Sequence, residues 1–359
     1  MKKELKLFAT DMDGTFLRSD RTFNHEKLKT ILDAFDQQGL VFCASSGRQL
    51  LALEEMIFHD FRDQIAFVAE NGGVVSYKGE TIFAQTLSTE QIKAIVDLLA
   101  RMTDSPKHDF LISGIKGSYC LPDVSDWFYA KAQIYYANVQ KVSEIDAIDD
   151  QMIKVTTNFP EDKTAECERY ITDTLAFARA TTTGFTSIDI GSKGISKASG
   201  LAHLLAHFKW HPEQLAAFGD QMNDFEMLEY AGTAYAVSNA CPEILNCADE
   251  IILSNDDDAV LVQIEKLMQE KNENEKLIHR FFTSESPLIL KNFPAKTSKK
   301  LIVLQRIAQE FSQDKHYSAV EIDQRLKTIS PDFATLRRAL VDYQFMERTD
   351  DGRDYWLKK

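Results

Sequence analysis

The chain of 359 residues has no Cys-x-x-Cys pair and only five cysteines, Cys43, Cys120, Cys167, Cys241 and Cys247, odd in number and scattered. That excludes a disulfide framework and a cysteine zinc site, and it is the usage expected of reduced thiols in the cytoplasm. Long apolar runs are also missing. None approaches the roughly 20 residues that span a bilayer, so no membrane partner is expected. The run after Lys2 and Lys3 stops at Asp11, too early for a signal peptide. Positive charge is scarce: 41 Lys and Arg face 55 Asp and Glu, and the net charge of −14 excludes a surface that coats nucleic acid as a whole. The deficit is uneven. Residues 276–359 carry 16 basic and 11 acidic residues, a balance of +5 that leaves −19 on residues 1–275. Two units with different partners fit such a split, and the length itself predicts two or three domains. Internal repeats are absent.

What is present begins with Leu5-Lys-Leu-Phe-Ala-Thr-Asp11-Met-Asp13-Gly14-Thr15, an apolar run of strand length that ends in two carboxylates two residues apart. In open parallel sheets ligands collect at the carboxyl ends of strands, so Asp11 and Asp13 are candidates for chemistry rather than for the core. Asn24 caps a predicted helix with Leu28, Ile31, Leu32 and Phe35 on one face, closed by Gly39. Strands predicted at 40–44 and 65–69 end in Ser45-Ser46-Gly47-Arg48 and Glu70-Asn71-Gly72-Gly73. The alternation predicts an α/β fold with a Rossmann-like parallel sheet.

From 83 to 183 the texture changes. Ser88-Thr-Glu-Gln91 is a capping box, alternating segments occupy 110–115 and 152–158, and a second helix is expected at 165–175. This reads as an inserted α+β cap that closes on substrate. The first pattern is expected to resume at 184 with Ile188-Asp-Ile190 and Ser196-Lys197, then Gly219-Asp220-Gln-Met-Asn223-Asp224, and to end near 271. The charged stretch 270–276 reads as a domain boundary or an exposed helix end. The domains are therefore a core of 1–82 and 184–271, a cap of 83–183 and a C-terminal domain of 276–359.

The strand ends gather Asp11, Asp13, Ser46, Asn71, Lys197, Asp220, Asn223 and Asp224. Crowded carboxylates repel and raise one another's pKa, a conflict that a divalent cation resolves, and hard oxygen donors suit Mg²⁺ better than zinc. Asp11 and Asp220 are the expected side-chain ligands, with Asp224 close by. Lys197 and the Ser46 hydroxyl suit an anionic oxygen group such as phosphate. His203, His207 and His211, spaced by four, have no acidic or cysteine partner and read as polar surface.

This set resembles the haloacid dehalogenase superfamily of phosphatases, in particular the Cof-type members with a class IIB cap. Asp11-Met-Asp13-Gly14-Thr15 matches the first motif, Ser46-Gly47-Arg48 the second, Lys197 the third and Gly219-Asp220-Gln-Met-Asn223-Asp224 the fourth. The resemblance implies a Mg²⁺-dependent phosphatase of small phosphorylated metabolites. Asp11 would be the nucleophile that forms an aspartyl-phosphate, and Asp13 the general acid and base. Ser46, Gly47, Lys197 and Asn223 would hold the phosphoryl group. Asp11, the Asp13 carbonyl, Asp220 and Asp224 would serve the metal, and Arg48 and Asn71 would face cap or substrate. A phosphomutase is the alternative within the enzyme class, and a ligand-sensing regulator the alternative outside it.

Residues 276–359 lie beyond that pattern. A helix at 299–311, a second opened by the capping box Ser318-Ala-Val-Glu321, a third capped by Ser330 with Pro331 following, and a hairpin around Gly352 make a winged-helix-like domain. The third helix is expected to expose Arg337 and Arg338, with Arg353 near the hairpin tip, as a nucleic-acid-binding version could use them. The stretch also resembles a small uncharacterised bacterial domain found on some transcriptional regulators.

Overall fold

The run Leu7–Thr10 is buried along its whole length and lies at the centre of an eight-stranded sheet. A computed structural model describes residues 4–183, 186–313 and 315–358, so the expected boundary at 184 lies outside the described residues. The chain divides into two compact units, Lys3–Gln263 and a second made largely of Ile264–Lys359. In the first, the large sheet has the order Glu250–Ile252, Thr233–Val237, Leu215–Gly219, Leu7–Thr10, Val41–Ser45, Ala66–Ala69, Val74–Tyr77, Glu80–Ala84. The first six are parallel, and the last two form an antiparallel extension that the sequence reading did not foresee.

Local chemistry explains the elements between. Helix His25–Gln38 starts where the Asn24 side chain accepts from Lys27 N and ends at Gly39 in the left-handed region, as its sequence predicts. Its buried face is Leu28, Ile31, Leu32 and Phe35. Parallel strands have both faces covered, which is why Val41–Ser45 and Ala66–Ala69 are uniformly apolar or small. Their carboxyl ends carry Ser46, on the strand beside the one that leads into Asp11, and Glu70, one strand further out.

The inserted segment builds a six-stranded sheet of its own. The order is Ala178–Thr182, Ser187–Ser192, Met152–Asn158, Phe110–Gly114, Ser118–Cys120, Val139–Lys141. Helices Thr89–Arg101 and Thr164–Thr174 cover one face, and the capping box at Ser88 is formed on both sides. One expectation is corrected here. Ser187–Ser192 pairs antiparallel with Met152–Asn158 and Ala178–Thr182, so it belongs to the inserted sheet and not to the resumed core pattern. Ile188 and Ile190 pack into the inserted core, which leaves Asp189 on the other face. Period-2 alternation does not say which of two sheets a strand joins.

The second unit has its own core of Val303, Leu304, Ile307, Leu326, Leu336 and Leu340. Helices Thr297–Ala308, Ala319–Ile329 and Phe333–Asp342 accompany a three-stranded sheet in the order Tyr317–Ser318, Asp354–Leu357, Met346–Arg348. The three helices, the capping box at Ser318 and the hairpin agree with the sequence reading. The third N-cap does not: Asp332, not Ser330, accepts from Thr335 N, and Ser330 terminates the preceding helix. A hairpin of Phe282–Glu285 and Leu288–Leu290 was not foreseen. The charged stretch 270–276 lies inside a continuous helix, Ala259–Phe281, since its Glu and Lys are good helix formers even without an apolar face.

Candidate active site

Three carboxylates and one ammonium meet where the central strands end. Asp11, Asp220 and Asp224 each offer an oxygen within 4.8 Å of the others, and all three are buried. Lys197, fully buried at the first turn of helix Lys197–Phe208, places its Nζ 2.5 Å from Asp11 Oδ1 and 2.6 Å from Asp224 Oδ1. The other Asp224 oxygen accepts from the backbone N–H groups of Asp220 and Gln221 at 3.0 and 3.2 Å. Thr15 donates to Asp220 Oδ1 at 2.7 Å. Gly14 makes this closeness possible: its φ is +85°, and a Cβ there would lie 2.6 Å from Asp220 Oδ2.

The electrostatics are unbalanced. Three carboxylates share one lysine, so burial, then the charges of Asp224 and Asp220, push the Asp11 pKa well up against the opposing pull of Lys197. Burial and Asp224 push Asp220 up to about 6. Burial alone would pull Lys197 down, but Asp11 and Asp224 more than reverse this and leave it raised. Hard oxygen donors with excess negative charge suit a divalent cation such as Mg²⁺, which would supply the missing positive charge. The donor set therefore fits such a metal, with Asp11, Asp220 and Asp224 as the side chains able to hold it.

Asp13 stands apart from this cluster. Its carboxylate is more than half exposed and is held by Arg48 through two hydrogen bonds, Nε to Oδ2 at 2.7 Å and a terminal nitrogen to Oδ1 at 2.6 Å. The Arg48 guanidinium also lies 5.9 Å from the ring centre of Tyr135, from the inserted segment. Ser46 and Gly47 lie between Arg48 and the strand end, and the Ser46 hydroxyl accepts from Arg48 N at 3.2 Å. Asn71 is in the left-handed region. It donates from its backbone to Ser46 O at 2.9 Å and from its side chain to Asp189 of the inserted sheet at 3.3 Å. Asn223 sits in the short turn Met222–Asp224, beside the carboxylate cluster.

Several contributors escaped the sequence reading. Thr15 stands inside the first motif, and its sequence position does not show the hydrogen bond to Asp220. Lys154 and Asp189, both from the inserted sheet, form a buried cluster with Glu70: Lys154 Nζ lies 2.8 Å from Glu70 and 2.6 Å from Asp189. The available signal was a lysine in the buried run Met152-Ile-Lys-Val and an aspartate between two isoleucines. The histidine set does not assemble. His203 stacks on Phe83 at 3.7 Å, and His211 lies outside the helix, which ends at Phe208.

The sequence pattern of haloacid dehalogenase-like hydrolases matches residues 8–264, and that of an uncharacterised family conserved in bacteria matches residues 289–357. The 5-amino-6-(5-phospho-D-ribitylamino)uracil phosphatase of Escherichia coli is 31% identical over 267 residues, which are 74% of this chain and 97% of that protein. A solved structure from Streptococcus mutans is 30% identical with a TM-score of 0.68, covering 74% of this chain and all of that one. A sugar phosphatase of subclass IIB is 19% identical with a TM-score of 0.60, covering 73% of this chain and 98% of that one, a likeness of fold.

Proposed function

Because the chain belongs to the haloacid dehalogenase-like hydrolase family, and its Escherichia coli relative is named as a phosphatase, we propose that it is a Mg²⁺-dependent phosphatase of small phosphorylated metabolites that works through an aspartyl-phosphate on Asp11. The observation that carries this reading is the buried cluster in which Lys197 touches both Asp11 and Asp224 while Asp220 closes the third side.

An Asp11 oxygen attacks phosphorus as the bond to the leaving oxygen breaks, and Asp13 gives that oxygen its proton. Asp13 then takes a proton from water, the water oxygen attacks phosphorus, and the Asp11–phosphate bond breaks to release inorganic phosphate. Lys197 and the Ser46 hydroxyl offset charge on the phosphoryl oxygens, helped by Asn223 and the Gly47 backbone. Arg48 bonds both Asp13 oxygens in this structure, so it must free one of them before Asp13 delivers a proton, and Asn71 ties the same loop to the cap. When bound, Mg²⁺ on Asp11, Asp220, Asp224 and the Asp13 carbonyl supplies Lewis-acid charge to the phosphoryl oxygens.

Because the Escherichia coli relative is named for a phosphorylated ribityl compound, phosphorylated polyols, sugars and nucleotide precursors are the first substrates to try. The five free cysteines support a cytoplasmic setting. The test is phosphate release from a panel of such esters with and without Mg²⁺, wild type beside Asp11→Asn. Metal-dependent release that the variant lacks supports the reading. Release that requires a bisphosphate activator and transfers phosphate back to sugar would favour the mutase instead.

A further inference from the structure

The loop that would hold the phosphoryl group is gripped by the inserted sheet. Lys154, 3% exposed on strand Met152–Asn158, donates to Gly47 O at 2.6 Å, and its ammonium also meets Glu70 and Asp189. Its hydrogen bonds go to Gly47 O and Asp189 Oδ2, and Glu70 Oε2 adds an ion pair at 2.8 Å. Two of these partners belong to core loops. Those loops are joined directly as well, Asn71 N to Ser46 O at 2.9 Å and Glu70 N to Arg48 O at 3.0 Å. Ser113 of the inserted sheet fixes the other Glu70 oxygen at 2.6 Å, and Gln49 accepts from Ala137 N at 2.9 Å. Each of Ser46, Gly47 and Arg48 thus lies within one contact of a group that the inserted segment supplies or orders.

We propose that Lys154 is a positioning residue for loop 46–48: through it the inserted sheet sets the geometry of the phosphoryl end of the site, and not only the choice of leaving group. It acts through Gly47 and Glu70 and touches neither Asp11 nor the phosphoryl group. The proposal rests on the phosphatase reading above. A residue that selects leaving groups changes KM from one substrate to another. A residue that sets the phosphoryl loop lowers kcat for every substrate by a common factor.

The experiment uses the full chain, with Lys154→Met and Lys154→Met/Asp189→Asn beside wild type, the second change relieving one of the two carboxylates, Glu70 and Asp189, that the first leaves without their cation. Melting temperature, kcat and KM for p-nitrophenyl phosphate and for a phosphorylated sugar, and inhibition by inorganic phosphate are measured. A displacement of the loop by about 1 Å should cut kcat by about 10- to 100-fold on both substrates alike and weaken inhibition by phosphate, which has no leaving group. The double variant should recover melting temperature without recovering kcat. Three results overturn the proposal: kcat within about threefold of wild type in either folded variant, a loss confined to KM of one substrate, or unfolding of both variants, which would make the role inseparable from stability. A wild type that releases no phosphate at all would instead refute the phosphatase reading.

Discussion

Replacing Lys197 by methionine removes a buried cation that contacts Asp11 at 2.5 Å and Asp224 at 2.6 Å. Methionine fills much of the same volume, so the main effect is two carboxylates left buried beside a third. Breaking a buried ion pair by deleting one partner costs about 3–5 kcal/mol. In a unit of this size each kcal/mol moves the melting temperature by about 2–4 °C, so the expected drop is about 6–20 °C without divalent cations. Added Mg²⁺ should shrink the gap, because the more negative variant site binds the cation more tightly than wild type does, and at saturation each tenfold difference in dissociation constant narrows the gap by about 1.4 kcal/mol. Turnover should fall by about 100- to 1,000-fold, the usual cost of removing a charged stabiliser from a preorganised site. Thermal scans in EDTA and in millimolar Mg²⁺ provide the assay. A drop below about 2 °C in EDTA, or a gap that Mg²⁺ leaves unchanged, would refute this account of the cluster.

Asp220, pushed up to about 6, binds more protons in the folded than in the unfolded chain between pH 4 and 6. Its contribution to stability is therefore present below about pH 4 and lost as pH rises through about 6. The increment from Mg²⁺ should grow over the same interval because the metal needs the ionised carboxylates, and scans across it with and without Mg²⁺ test both signs. In the second unit, Arg337 is half-buried and pairs with Asp323 at 2.6 Å, so Arg337→Ala should cost about 1 kcal/mol. Arg338 is exposed, and Arg338→Ala should stay within about 0.5 kcal/mol in the same denaturation measurement.

The core was legible because Asp11, Ser46 and Asp220 each follow a short apolar strand, and strand ends can be read from composition; Lys197 instead opens a helix after the Ser196 cap. The caps at Asn24 and Ser88 were legible because side-chain capping is a local event. Partnership across the sheets was not. Lys154 and Asp189 stand 35 residues apart on two different strands, Glu70 lies in another sheet's loop, and nothing local shows that the three meet. The same limit explains Arg337, which looks like a free recognition residue until Asp323 of the neighbouring helix is placed beside it. Asp13 was legible as a carboxylate but not as one held by Arg48. Ser330 reads as a cap from sequence, and only the backbone assigns that role to Asp332 instead.

The central claim is that phosphate passes through Asp11. Borohydride reduction during turnover with Mg²⁺ converts an aspartyl-phosphate to homoserine, and peptide mass spectrometry locates it. Homoserine at position 11, dependent on both substrate and Mg²⁺, is the predicted result. Active turnover with no homoserine at position 11, or homoserine at position 13 instead, would contradict it.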